Sequence, residues 1–116
     1  MRRALTIGTL ALALAAAGVA TPAAAIDSTA DLRAACAAED EATRNLCFGY
    51  IQGVGHLYVE LLRAGAIGQI ACADPVPTLE VIRVAVVDWI DTNPQHAADS
   101  AVDGLMRASA TIWPCE

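Results

Sequence analysis

Four cysteines, Cys36, Cys47, Cys72 and Cys115, restrict what this 116-residue chain can fold into more than any other feature. They follow a leader. Met1-Arg2-Arg3 is cationic, Ala4 to Ala20 is almost wholly apolar, and Ala23-Ala24-Ala25 supplies the small residues of a cleavage site. This is the pattern of a secretory signal peptide covering residues 1–25, with residues 26–116 as the mature chain. The alternative is an uncleaved anchor helix, which the small-residue site disfavours. No cysteine follows the apolar run where a lipid anchor needs one. An even number of cysteines in a small exported chain reads as two disulfides, not as catalytic thiols. Zinc is a poor fit, because no Cys-x-x-Cys occurs and neither His56 nor His96 has a second ligand at the usual spacing.

The mature chain is one domain with a small core, which crosslinks help to hold. Without Arg2 and Arg3, five arginines stand against thirteen acidic residues, a net charge of −8, and there is no lysine. Such a balance disfavours nucleic acid and anionic lipid, and suits a basic protein partner.

The patterning is helical throughout. Ser28-Thr29-Ala30-Asp31 has the spacing of a capping box and opens a first helix over about 29–38, with Leu32, Ala35 and Cys36 inward. Glu39-Asp40-Glu41 leads into a long helix over about 42–63, whose Tyr50, Val54, Leu57 and Leu61 recur at helical spacing. This helix is expected to be the buried centre of the fold. Gly49 and Gly53, four apart, are expected to mark a close approach of another helix, since glycine in a helix costs about 1 kcal/mol against alanine. Gln52, His56 and Glu60 interrupt the run and argue against a membrane span. Gly65 and Gly68 end the helix. Residues 67–77 form a rigid loop with two prolines. Thr78 caps a third helix over about 79–92, with Ile82, Ala85, Val86, Trp89 and Ile90 inward and Arg83 and Asp88 in water. Asn93-Pro94 opens the last helix, about 94–112, with a stripe of Ala98, Ala101, Val102, Leu105, Ala108 and Ile112. The fold class is all-α, a small four-helix bundle with two disulfides.

Topology sets the pairing. A helix of about 22 residues is roughly 33 Å long. That separates Cys47, near its start, from Cys72 beyond its end by more than the ~7 Å a bridge tolerates. The third helix runs back and the fourth forward, which returns Cys115 to Cys72. The expected pairs are Cys36–Cys47 and Cys72–Cys115.

No catalytic constellation can be assembled. Ser28, Ser100 and Ser109 lack a nucleophile-elbow context. His56 and His96 read as packing or surface residues, and Asp88 and Asp91 as solvated acids at a helix end. Tyr50 and Tyr58 read as core residues with one hydrogen bond each, Trp89 as core and Trp113 as a helix-end plug. The chain is not expected to be an enzyme or to carry a cofactor or metal.

With these residues in place, the sequence resembles the Rap/Tai family of type VI secretion immunity proteins. The likeness runs from Leu32 and Cys36 through Cys47-Phe48-Gly49-Tyr50-Ile51-Gln52-Gly53-Val54, Cys72 and Pro75, and Val86-Val87-Asp88-Trp89-Ile90 with Asn93-Pro94. It ends at Ala101, Leu105 and Trp113-Pro114-Cys115. Two features depart from the family pattern: Ala73 and Asp74 stand between Cys72 and its proline where one residue is expected, and Trp89 stands where tyrosine is more usual.

The resemblance implies a periplasmic protein, often a homodimer, that binds and occludes a secreted peptidoglycan amidase with a cysteine–histidine site, without chemistry of its own. The stretches expected to reach a toxin cleft are Asp74-Pro75-Val76 and the turn carrying Asp91, Asn93 and Gln95, both irregular and polar-tipped. Two alternatives remain open: a periplasmic acid-stress chaperone, and a small helical ligand-binding protein. The second needs a cavity that the many alanines and glycines argue against.

Overall fold

A computed structural model describes residues 25–116, and the expected signal segment, apart from Ala25, lies outside the described residues. Four α-helices follow in order: α1 (Thr29–Cys36), α2 (Glu41–Arg63), α3 (Leu79–Thr92) and α4 (Ala101–Ile112), with a 3-10 turn at Pro94–His96 before the last. The described residues form no strand beyond one isolated bridge, between Ser28 and Ser100. The class is the all-α bundle expected. The disulfides are Cys36–Cys47 and Cys72–Cys115, with Cα separations of 5.0 and 4.9 Å.

Each helix starts where a short polar side chain satisfies its free amides. Ser28 Oγ accepts from Asp31 N at 3.1 Å while Ser28 N donates to the Asp31 carboxylate at 2.9 Å, the reciprocal box read from the sequence. Asp40 caps α2 by accepting from Thr43 N at 2.8 Å, and Thr78 caps α3. At the end of α2, Gly65 takes a left-handed φ of 66°. Its N–H donates to Leu62 O and that of Ala66 to Leu61 O, which closes the helix as a Schellman motif.

The last helix differs from expectation. It starts at Ala101, not at Pro94, because α1 and the residues just before it claim the backbone groups a continuous helix would need. Thr29 N donates to Asp99 O at 2.8 Å, Ala30 N to Ala97 O at 3.0 Å, and Ala101 N to Asp27 O at 2.9 Å. Ser100 then caps α4 by accepting from Asp103 N at 3.3 Å. The Ser-x-x-Asp spacing at Ser100 repeats that at Ser28.

The centre of the fold also differs. The core comprises Leu32, Ala35 and Cys36 of α1, Cys47 and Ile51 of α2, Val86, Trp89 and Ile90 of α3, and Ala101, Leu105 and Ala108 of α4. Both α1 and α3 pack on all three other helices, and α1 does so with only eight residues; α2 lies outside, against these two. The inward face of α2 is centred on Cys47 and Ile51; Tyr50 and Val54 of the expected face pack beside them, but Leu57 is 59 % exposed.

Gly49 and Gly53 face solvent, with no atom within 4 Å of where a Cβ would stand. The close approach occurs instead at Gly104 of α4, where a Cβ would lie 2.7 Å from Thr29 Cγ2 and nearer still to its hydroxyl. Of the stripe expected on the last helix, Ala98, which precedes α4, and Val102 on it are exposed. Arg83, expected in water, folds back under cover: its guanidinium donates to Cys36 O at 2.7 Å and to Glu80. It thereby satisfies a carbonyl at the end of α1.

Candidate functional site

The site grows from unequal helix lengths. With 23 residues, α2 spans ~34 Å, longer than α3 and α4, and it makes little direct contact with α4. A half-open recess of about 430 Å3 is left between them. Its walls are Ile51, Val54 and Tyr58 of α2, Leu79 and Ile82 of α3, and Leu105, Met106 and Ser109 of α4. The lining is mostly apolar. Gln52 and His56 stand among the lining residues and are exposed, and Ser109 Oγ is already engaged, donating to Leu105 O at 2.8 Å.

The remaining wall is a strap, residues 70–77, without regular structure. It is nevertheless tied down. The Tyr58 hydroxyl accepts from Ile70 N at 2.8 Å and Ala71 N at 3.3 Å. Cys72 N donates to Trp113 O at 2.8 Å, and the Cys72–Cys115 disulfide fixes the same point. Beyond these tethers the chain runs outward through Asp74 and a cis bond to Pro75. Asp74, Pro75 and Val76 are all exposed, Val76 at 83 %, the most exposed large hydrophobic residue among those described.

The family model for Rap1a immunity proteins matches residues 28–115. That span holds all four helices, both disulfides and the strap. The chain belongs to the Rap1a immunity protein family. No curated protein and no solved structure matches it significantly.

In this Rap1a family member the two expected contact stretches are not brought together. The strap residues precede α3, whereas Asp91, Asn93 and Gln95 lie at its far end, roughly 20 Å away along a 14-residue helix. Asp91 accepts from Arg33 Nε of α1 at 2.7 Å, and this hydrogen bond and charge hold its carboxyl below the ordinary aspartate range. Asn93 is half-buried; its amide nitrogen donates to Trp89 O at 2.8 Å and its oxygen accepts from Gln95 Nε2 at 3.3 Å. These side chains brace the turn, and Gln95 and Asp91 remain exposed.

Among the described residues no group of three His, Cys, Asp or Glu side chains could hold a metal, and no cysteine is free. His56 stands exposed, while His96 stacks on Trp89 with ring centroids 5.5 Å apart and lies 2.6 Å from the Asp99 carboxylate.

Three residues that hold the strap or the helices around the recess are placed otherwise than the sequence suggests. Tyr58 was expected as core, but it is only half-buried, and its hydroxyl seats the strap; nothing in the local sequence links it to Ile70. Arg83 was assigned to water. Gly104 could have been found, since Ala101-x-x-Gly104-Leu105-x-x-Ala108 is a small-residue stripe on an apolar face.

Proposed function

We propose that this Rap1a family member is a periplasmic immunity protein that binds and occludes a type VI secreted peptidoglycan amidase. The observation that carries the reading is the strap: an exposed apolar tip, Val76, between two prolines and beside Asp74, on a segment already fixed at Tyr58, Trp113 and Cys115. A segment ordered before encounter loses less entropy on binding, so a small contact can dissociate slowly. Blocking a cleft needs no chemistry from the blocker. The acidic surface favours a basic toxin face, with an on-rate that falls as salt rises. The signal segment read from the sequence and the pairing of all described cysteines both suit an oxidising compartment.

The turn at Asp91, Asn93 and Gln95 enters this reading as a second, separate contact, because α3 stands between it and the strap. A homodimer would use the outward stripe of α2, where exposed Leu46 and Leu57 flank the open surfaces of Gly49 and Gly53. Sedimentation of the wild type against Gly53→Arg tests that face.

The immunity reading is tested by expressing an amidase toxin encoded beside this protein's gene, where one is found, in a periplasm with and without this protein. Protection is expected, and Val76→Asp with Asp74→Arg abolishes it. Lysis in both cases removes the reading; protection that survives the double change removes the strap from it. A second reading, a small apolar ligand, is favoured by the recess alone, which is of the size such ligands fill. Titration with a fluorescent fatty acid distinguishes it.

A further inference from the structure

The two disulfides sit in opposite surroundings. Cys36 and Cys47 are both fully buried, at 0 % exposure, within the contact of α1 with α2, and the last carbonyl of α1 beside them is covered by Arg83. Cys115 is exposed and Cys72 half-exposed, outside every helix. The first bridge closes a short interval, the second a separation of 43 residues that includes α3 and α4. What the second one holds is the strap.

We infer that Cys72–Cys115 is a redox-releasable tether: a dithiol reductant opens it selectively, frees the strap and leaves the helical core crosslinked by Cys36–Cys47. The chemistry is ordinary exchange. A thiolate of the reductant attacks Cys115 Sγ, the exposed end; the S–S bond breaks, and Cys72 leaves as a thiolate that takes a proton from water. The reductant's second thiolate then attacks its own sulfur in the mixed disulfide and expels Cys115. Two electrons pass to the protein, and the reductant ends as a disulfide. Access decides which bridge reacts, and buried sulfurs wait for unfolding.

Once the bridge is open, the hydrogen bonds left to the strap are Cys72 N to Trp113 O and, upstream, those of Ile70 and Ala71 to Tyr58, with only the packing of half-buried Ala73 and Pro77 beside them. The core residues of all four helices keep their contacts. The recess loses its outer wall, and the tip at Asp74 and Val76 loses its fixed position. The consequence for effector binding rests on the function proposed above; the selective release does not.

The test uses the oxidised mature protein. It is treated with graded dithiothreitol without denaturant, alkylated and peptide-mapped, with amide exchange followed in parallel. Cys72 and Cys115 are expected to alkylate while Cys36–Cys47 stays linked and the helical spectrum persists. Exchange across 70–77 should rise about tenfold or more, with α1 unchanged. The Cys72→Ser, Cys115→Ser double variant should reproduce that exchange without reductant. Parallel opening of both bridges, or an open bridge with unchanged strap exchange, overturns the inference. Toxin protection is scored separately. Failure of the oxidised protein to protect removes the immunity reading only, and equal toxin binding by wild type and double variant removes the tether's bearing on it.

Discussion

The helices joined by Cys36–Cys47 could hardly be less alike. Of the eight residues of α1, Thr29, Leu32, Ala35 and Cys36 are buried, and the helix touches all its neighbours. Of the 23 residues of α2, only Cys47 and Ile51 are buried. A helix of eight residues is far below the ~12–15 that hold together alone in water, so α1 is helical because its surroundings make it so. Its first amides are bonded to Ser28 and to the backbone before α4, its last turn is fixed by a disulfide and Arg83, and Arg33 reaches Asp91 on α3. The longer α2 has an Asp40 cap and a glycine stop of its own, and it can leave one side open without losing its shape. Centrality follows from how many partners fix an element, not from its length or its count of apolar residues. The exposed side of α2 is what makes room for the recess and the strap.

The sharpest way to break this comparison is truncation at one leucine from each helix. Leu32, at 0 % exposure, is surrounded on every side, and Leu32→Ala should cost about 2–5 kcal/mol in urea unfolding. Leu57 is 59 % exposed, and Leu57→Ala should stay within about 0.5 kcal/mol in the monomer. Similar losses at both positions would place α2 at the centre after all.

A pair of glycines makes a finer cut. At Gly104 a methyl group meets the β-branched Thr29, whose one hydroxyl proton lies between Asp99 O and Ser100 O, so the side chain has little room to yield. Gly104→Ala should destabilise by about 1–3 kcal/mol through overpacking. At Gly53 nothing lies within 4 Å, and Gly53→Ala should stabilise by about 0.5–1 kcal/mol from helix propensity alone. Thermal melts of the two variants should therefore shift in opposite directions.

These positions also show what the sequence could and could not convey. Caps and stops were readable, because Ser28, Thr78 and Gly65 act on amides and carbonyls a few residues away. The disulfide pairing was readable from helix lengths and directions alone. The inward face of α3 was readable because it is strongly apolar. The rank of α1 was not, since its bonds to residues 97–101 join segments some 70 residues apart in the chain. The glycines of α2 were misread for a related reason: periodicity says which residues share a face, not whether a neighbour lies on it. At the site, the exposure of Asp74, Pro75 and Val76 could be anticipated from a two-proline loop. The recess behind them could not, because it exists only where α2 and α4 fail to meet.

The smallest expected effect is in acid, and it separates α1 from α2 by what their carboxylates do. Asp31 is held below its ordinary pKa by the Ser28 amide and hydroxyl, Asp91 by the Arg33 hydrogen bond, and Asp40 by Thr43. The first two secure α1 and the third caps α2; Glu80 is lowered likewise by Arg83, and Asp103 by Arg107. A depressed folded-state pKa means that the unfolded chain binds more protons through the transition. The contribution is therefore complete above the unfolded value and is lost as pH falls through the folded one. For the aspartates that window lies below the ordinary value of 3.8. Melting temperature should stay level from neutrality to about pH 5 and decline only below about pH 4. All these groups are at the surface, so the decline should be shallow. Asp31→Asn and Asp40→Asn should each flatten it, since each removes one depressed carboxylate. Asparagine caps α2 nearly as well as aspartate, so Asp40→Asn should cost little at neutral pH. An apolar dye that bound strongly near pH 5, with α1 amides exchanging early, would contradict this profile and favour the acid-stress chaperone. Retention of α1 protection down to pH 4 would leave that alternative without an opening mechanism in the range where such a chaperone must act.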